Sequence, residues 1–222
     1  MDLGTMGYQK AWDLQEELLQ ENLRLKKEGS NETKHHLLLV EHPPVYTLGK
    51  SGKEEHVLIS EEERQKRQIE FFRINRGGDI TFHGPGQIVG YPILDLEKYY
   101  TDIGLYLRNL EEVIIRVMAE YGLEGTRSKG ETGVWLDPEI PGKERKICAM
   151  GVRCSRWITM HGFAFNVNTD LSYFNHIIPC GIQNKQVTSL EKELGHKMNF
   201  REVQDKLITK FAEVFQADMQ VG

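Results

Sequence analysis

The chain has 222 residues, a net charge of −5 at pH 7, 39% hydrophobic residues and a mean hydropathy of −0.48. That length suits one large domain with a sizeable core, spanning 1–222, and the composition suits a soluble globular protein without a membrane span. The acidic balance argues against broad nucleic-acid binding but leaves room for a local basic patch.

The start, Met1-Asp2-Leu3-Gly4-Thr5, has neither a basic n-region nor an apolar h-region, so no signal peptide is expected. Residues 8–27 read as an amphipathic helix, with Ala11, Leu14, Leu18 and Leu25 on one face and Gly29 as the stop. Leu37 to Val40 is an apolar run that ends at Glu41-His42-Pro43-Pro44, as a buried strand leaving a sheet would. Residues 60–68 are charged and solvated. Strands follow near 71–75, 79–83 and 88–95. A helix over 102–121 places Leu105, Leu107, Leu110, Val113, Ile114 and Val117 on its buried side. Strands near 131–136, 145–153 and 157–167 come next, with Asp137 to Gly142 as a connecting loop. The last helix starts at Asn199, with Glu202 completing a capping box and Val203, Leu207, Ile208, Phe211 and Phe215 as its stripe. The pattern is α/β (α+β): a mixed sheet with helices packed outside it.

The run Arg76 to Gln87 stands out, with four glycines among its twelve residues. Gly77 and Gly78 permit close backbone approach. Alternation puts Asp79, Thr81 and His83 on one face and Ile80 and Phe82 on the other. Gly84-Pro85-Gly86-Gln87 fits a type II turn. The result is a polar ledge with exposed backbone N–H groups, suited to hold a ligand. His83 has three open roles there: orienting a carbonyl, relaying a proton, or bracing the turn.

Three cysteines are too few and too odd for a disulfide framework, which suits a reducing cytoplasm. Cys180 lies between Pro179 and Gly181 on a loop, where amides beside the sulfur could stabilise an oxyanion, although an inert loop cysteine has the same signature. Cys148 sits in an apolar strand and reads as a packed small hydrophobe. Cys154, between Arg153 and Ser155-Arg156, has charge that favours a thiolate, yet also suits a plain turn. Lys146 opens the strand Lys146 to Gly151, and alternation groups it with Cys148 and Met150. A lysine entering an apolar strand is costly unless paired, and snorkelling to water is the simple alternative. Gly162 and Ala164 are small strand residues that could leave room for a ligand chain. The eight histidines show no metal spacing, and neither a Walker loop nor a G-x-G-x-x-G run is present, so no metal or nucleotide cofactor is expected.

Four motifs occur in order: Glu41 to Gly49, Arg76 to Gln87, Lys146 to Gly151 with Met160 to Ala164, and Pro179 to Ile182. Together they resemble the lipoyl(octanoyl) transferase family, octanoyl-[acyl-carrier-protein]:protein N-octanoyltransferases. The resemblance implies a biotin/lipoate protein ligase-like fold and a catalytic Cys180–Lys146 pair. It implies acyl binding by Arg76, Gly77, Gly78, Asp79, Ile80, Thr81, Phe82 and His83, by Ala149, Met150 and Gly151, and by Gly162, Phe163 and Ala164. It implies octanoyl-acyl carrier protein as donor. The acceptors would be lipoyl domains of 2-oxoacid dehydrogenase E2 subunits and glycine cleavage H protein. Acidic partners of that kind suggest a basic rim, for which Lys143, Arg145, Arg153, Arg156 and Lys185 are candidates. A slot lined by Gly151, Gly162 and Ala164 predicts that Gly162→Leu shortens the accepted chain. Neighbouring readings are an amidotransferase between lipoyl domains, an ATP-dependent lipoate or biotin ligase, and a non-catalytic acyl-carrier-binding module. Donor preference, use of free octanoate with ATP, and a covalent adduct separate them.

Overall fold

A computed structural model describes residues 1–178 and 186–220. The strands are β1 (Asp2–Thr5), β2 (His36–Glu41), β3 (Val45–Leu48), β4 (Glu70–Arg73), β5 (Ile80–His83), β6 (Gln87–Ile93), β7 (Thr126–Ser128), β8 (Glu131–Leu136), β9 (Arg145–Ser155), β10 (Ile158–Asn166) and β11 (Gln186–Val187). The helices are α1 (Tyr8–Lys27), α2 (Glu61–Lys66), α3 (Ile103–Ala119), α4 (Leu190–Leu194) and α5 (Phe200–Phe215). An eight-stranded mixed sheet has the order β1-β2-β6-β10-β9-β8-β7, with β11 beside β9. A three-stranded sheet has the order β4-β3-β5.

Three apolar clusters hold these layers together. Buried residues of α3 and α5 meet Phe163, Phe165, Cys148 and Val134 on one face of the large sheet. Ala11 and Leu19 of α1 cover Leu38, Val89, Tyr91 and Ala164 on the other. Ile80, Phe82, Tyr46 and Phe174 fill the small sheet. Pro43 and Pro44 take the chain out of the large sheet at the end of β2, and it begins β3 at once. The Arg76–Gln87 motif then carries it back, from β5 of the small sheet to β6 of the large one.

The helices α1 and α3 run as their periodicity predicts; the buried face of α1 is rotated, while α3 buries Leu110, Val113, Ile114 and Val117 as expected. In α1 the buried stripe is Tyr8, Ala11, Gln15, Leu19 and Asn22, not the leucine face. Polar side chains sit in that stripe because each has a backbone partner. Gln15 Oε1 accepts from the His161 amide, and Asn22 bonds both backbone groups of Lys34. In α3, Tyr106 and Glu111 are buried while Leu105 is exposed. Asn199 caps α5 as expected, but the Glu202 carboxylate turns to Lys206 instead of completing the box. The stop of α1 is a Schellman-type closure, with Ser30 N–H donating to Leu25 O around Gly29 at φ +75°.

Candidate functional site

Arg76 is only 8% exposed, and its guanidinium donates to Thr47 O at 2.8 Å, Thr47 Oγ1 at 3.0 Å and Gly77 O at 2.9 Å. It thereby ties the ledge to β3. Gly77 N–H donates to Val152 O at 3.0 Å, so this amide is committed to β9 instead of standing open. Gly78 adopts φ +87°, a left-handed conformation that glycine takes without a Cβ penalty. The Asp79 carboxylate receives Ile80 N–H at 2.7 Å and the His56 ring nitrogen Nδ1 at 2.5 Å. Alternation along β5 holds: Ile80 and Phe82 enter the small core, while Thr81 and His83 line the cavity described below. Phe82 stacks on Tyr173 with centroids 4.5 Å apart and, alone in the Arg76–His83 run, does not line that cavity. The following turn is type II, with Gly86 at φ +79° and Gln87 N–H donating to Gly84 O. A Cβ on Gly86 would lie 2.4 Å from Asn168 O, so only glycine fits.

His83 is buried at the centre of a polar chain. The Gln87 amide donates to Phe82 O and Asn166 Oδ1, which leaves its oxygen to accept from His83 Nδ1 at 2.9 Å. That network assigns the Nδ1–H tautomer and leaves Nε2 as an acceptor, 3.4 Å from Thr47 Oγ1. Asn166 in turn donates to Thr188 O, and Thr188 N–H donates to Lys146 O. The ring stacks on Tyr8 at 6.0 Å, with His42 edge-on at 5.9 Å. Burial, together with nearby His42 and Arg76, holds the His83 pKa well below the ordinary histidine value. Burial likewise lowers His42 to about 4 and, with Arg76 beside it, His161 to about 3. His161 Nε2 lies 2.9 Å from Asn75 Oδ1, and its backbone sits at φ +57° inside β10.

Lys146 is aimed by a β-bulge. Val134 pairs with Cys148 and Trp135 with Lys146, so Ile147 is an extra residue on β9. Ile147 and Cys148 both join the α3–α5 core. Val134 and Leu136 do so too, so Trp135 between them and its partner Lys146 take the opposite face. Lys146 Nζ rests 4.5 Å from the Trp135 ring centroid and lines the cavity with Ala149 and Gly151. The expected grouping of Lys146 with Cys148 and Met150 is therefore wrong, because strict alternation fails at the bulge.

The ledge, β9 and β10 enclose a cavity of about 600 Å³. Its walls include Arg76, Gly77, Gly78, Asp79, Ile80, Thr81 and His83, with Lys146, Ala149, Met150 and Gly151, and Gly162, Phe163 and Ala164. Tyr8, Asn166, His161 and Leu107 also line it; His161 falls within the Met160–Ala164 motif, whereas the other three look in sequence only like core positions. Gly151 and Gly162 pair across the strands but do not open room for a chain. A Cβ on Gly162 would lie 2.2 Å from Gly90 O, and one on Gly151 2.7 Å from Gly77 O. These glycines let strand and ledge close together. Ala149 and Ala164, paired beside them, carry the small side chains of the wall.

Cys180, Pro179 and Lys185 lie outside the described residues. On either side of them, Ile178 N–H donates to His56 O, and Val187 pairs with Lys146 and lines the cavity. Cys148 is fully buried, and burial pushes its thiol pKa far up; burial raises half-buried Cys154 as well. Neither is suited to supply a thiolate. Two of the four described candidates for a basic rim are paired with carboxylates. Arg145 is held by Asp137 and Glu193, and Arg153 by Glu16. Lys143 and Arg156 remain exposed. Among the described residues no helix is long and apolar enough to cross a membrane.

A family model described as the lipoyl protein ligase A/B catalytic domain matches residues 7–212. An octanoyltransferase of Christiangramia forsetii is 58% identical, over 99% of this chain and 96% of its own length. An octanoyltransferase of Flavobacterium johnsoniae is 57% identical, over 98% of this chain and 96% of its own. Among solved structures, a bipartite lipoate protein ligase from Thermoplasma acidophilum superposes with a TM-score of 0.72 at 17% identity, covering 99% of this chain and 84% of that one. The fold is thus that of lipoate protein ligases, as the sequence motifs imply.

Proposed function

Because the chain belongs to the lipoyl protein ligase A/B catalytic-domain family, we propose that it carries octanoyl from acyl carrier protein to a lipoyl-domain lysine through a thioester on Cys180. It is an octanoyltransferase, an acyltransferase of protein lipoylation. The observation that carries the mechanistic reading is the cavity that joins Lys146, the Arg76–His83 ledge and Val187 just after the Cys180 segment.

In the first half-reaction the Cys180 thiol gives up its proton and the sulfur attacks the donor's thioester carbonyl. The carrier's thiolate leaves and takes up a proton. Lys146 stands at this end of the cavity, and a cation resting on the Trp135 face suits it to stabilise the Cys180 thiolate. The Gly78 amide, which the ledge's own hydrogen bonds leave unused, is our candidate oxyanion donor, since the Gly77 amide is already spent on Val152. In the second half-reaction a neutral lysine amine attacks the Cys180 thioester, the amide forms and the Cys180 thiolate is released. Thioester to amide runs downhill, so no nucleotide is needed. Neutral His83 lines the cavity with its Nδ1–H held by Gln87 and its Nε2 3.4 Å from Thr47 Oγ1, and burial keeps its pKa too low to take the amine's proton, so we read it as bracing this end of the slot. Each buried methylene contributes about 0.8 kcal/mol, so an octanoyl chain gains roughly 5 kcal/mol of positioning energy in a dry slot.

The donor is an octanoyl carrier protein and the acceptors are lipoyl domains of 2-oxoacid dehydrogenase E2 subunits and glycine cleavage H protein. Intact mass spectrometry after mixing with octanoyl carrier protein, followed by peptide mapping, tests the reading. Octanoyl on the Cys180 peptide supports it. Turnover that requires free octanoate and ATP, with no adduct, overturns it.

A further inference from the structure

One buried pair, His56–Asp79, ties the cavity wall to a turn that lies outside it. His56 ends a short 3-10 turn, Glu54–His56. Its Nδ1 meets Asp79 Oδ2 at 2.5 Å, with side-chain exposures of 14% and 9%. The other Asp79 oxygen accepts Ile80 N–H at 2.7 Å, so the carboxylate is held at both ends at the entry to β5. The backbone of the same histidine holds a different segment. His56 O accepts Ile178 N–H at 2.9 Å, Val57 bridges Ile177 in antiparallel fashion, and Leu58 N–H donates to His176 O at 2.9 Å. Residues 56–58 thus act as a strand partner for 176–178, which lead directly into Cys180.

We propose that the His56–Asp79 pair is a positioning clamp that fixes the segment leading to Cys180 against the Arg76–His83 ledge. The proposal rests on the reading of Cys180 as the acyl acceptor. The pair does not touch the reacting atoms through His56, which lies outside the cavity lining, whereas Asp79 is part of that lining. Two other ion pairs on the same turn, Glu54–Arg73 and Lys53–Glu55, are exposed and contribute little. The hydrophobic packing of Val57 and Ile177 holds the two segments together without the clamp. What the pair adds is registry between the segment and the ledge. Small misplacements of a reacting group are expensive in rate, so this registry matters for loading.

The test compares His56→Ala, His56→Asn, Asp79→Ala and the control Glu54→Gln in single-turnover loading from octanoyl carrier protein. His56→Ala and Asp79→Ala should each slow the maximal loading rate on the order of tenfold, with half-saturation by donor little changed in His56→Ala. The double variant should be no slower than either single one. His56→Asn, whose Nδ2 falls near the position of Nδ1, should recover most of the rate. Glu54→Gln should match the wild type. The alkylation rate of Cys180 by iodoacetamide, followed against pH, should be unchanged throughout, because the clamp aligns the thiol and does not activate it. Peptide mapping of the wild-type protein keeps the two ideas apart. Octanoyl absent from Cys180 overturns the nucleophile assignment. Octanoyl on Cys180 with wild-type loading in His56→Ala, or loss that His56→Asn does not restore in a folded protein, overturns the clamp.

Discussion

At the scale of single residues, the cysteines separate cleanly. Cys148 packs fully buried between Val134 and Phe165, and its thiol is pushed up by burial. Cys148→Ala should therefore leave octanoyl loading intact, while Cys180→Ala should abolish both the adduct and transfer, as read by mass spectrometry. Loss of the adduct in Cys148→Ala alone would refute the assignment. The wall of the slot is the second residue-scale matter. Gly162 has no space for a side chain, because Gly90 O stands where its Cβ would go. Gly162→Leu should unfold the sheet locally and lower the melting temperature instead of shortening the accepted chain. Ala164 and Ala149 are the positions where added volume enters the cavity. Ala149→Leu should shift preference toward shorter acyl donors, measured as the ratio of kcat/KM for hexanoyl and octanoyl carrier protein. An unchanged ratio counts against this wall as the chain site. The motif residues were readable in sequence because glycine, proline and histidine carry backbone and chemical signals. Tyr8 was not, since an aromatic at the start of an amphipathic helix looks like any core residue, and only its stacking on His83 gives it away.

At the scale of elements, periodicity places the strands and helices and the faces of β5, α3 and α5, but not the face of α1 or that of Lys146 on β9. Of the five leucines of α1 only Leu19 is fully buried, because the stripe is set by the chain beneath, where backbone partners await Gln15 and Asn22. A bulge is invisible to alternation, so the face of Lys146 was misread. The hairpin opposite that bulge depends on one carboxylate. Glu111 is fully buried in α3, accepts Gly133 N–H at 2.9 Å and receives Arg127 at 3.0 Å and Arg108 at 2.8 Å. Gly133 itself sits at φ +116°, with Cys148 O only 2.4 Å from where a Cβ would be. Glu111→Ala would strand the Gly133 amide and take one partner from Arg108 and from Arg127, which keeps Glu112 and the Arg108 carbonyl, beside the cavity-lining residues Gly130–Thr132. It should cost about 2 kcal/mol in urea unfolding, as expected for a buried donor left without its acceptor. It should also weaken donor affinity. A loss under 1 kcal/mol would show that Glu111 is not the support we describe.

At the scale of the whole molecule, the site is where the two sheets meet, and three neutral histidines mark the junction. His42 follows β2, His83 ends β5 and His161 lies in β10, all around Arg76 and Tyr8. His42 is locked by Met6 O at 2.7 Å and the Tyr91 hydroxyl at 2.8 Å. Their spacing in sequence showed no metal pattern, and nothing in it announced that a fold would bring them together. Burial holds each ring uncharged, helped by the Arg76 guanidinium at His83 and His161, with His42 at about 4 and His161 at about 3. In the unfolded chain the same rings titrate at about 6.5. The unfolded state therefore takes up protons first as pH falls, and the stability these rings support is full above about 6.5 and lost on the way down to their folded values. Each contributes a slope of about 1.4 kcal/mol per pH unit inside that window. The urea midpoint should accordingly fall steeply between pH 7 and pH 5, before most carboxylates titrate. His42→Asn, which removes one such ring while leaving an amide for Met6 O, should be less stable at pH 7 yet show a shallower decline. A midpoint that is flat over that range in the wild-type protein, or a slope in His42→Asn equal to the wild type's, would mean that the junction is open to water and that its histidines do not bind the two sheets together in the neutral state.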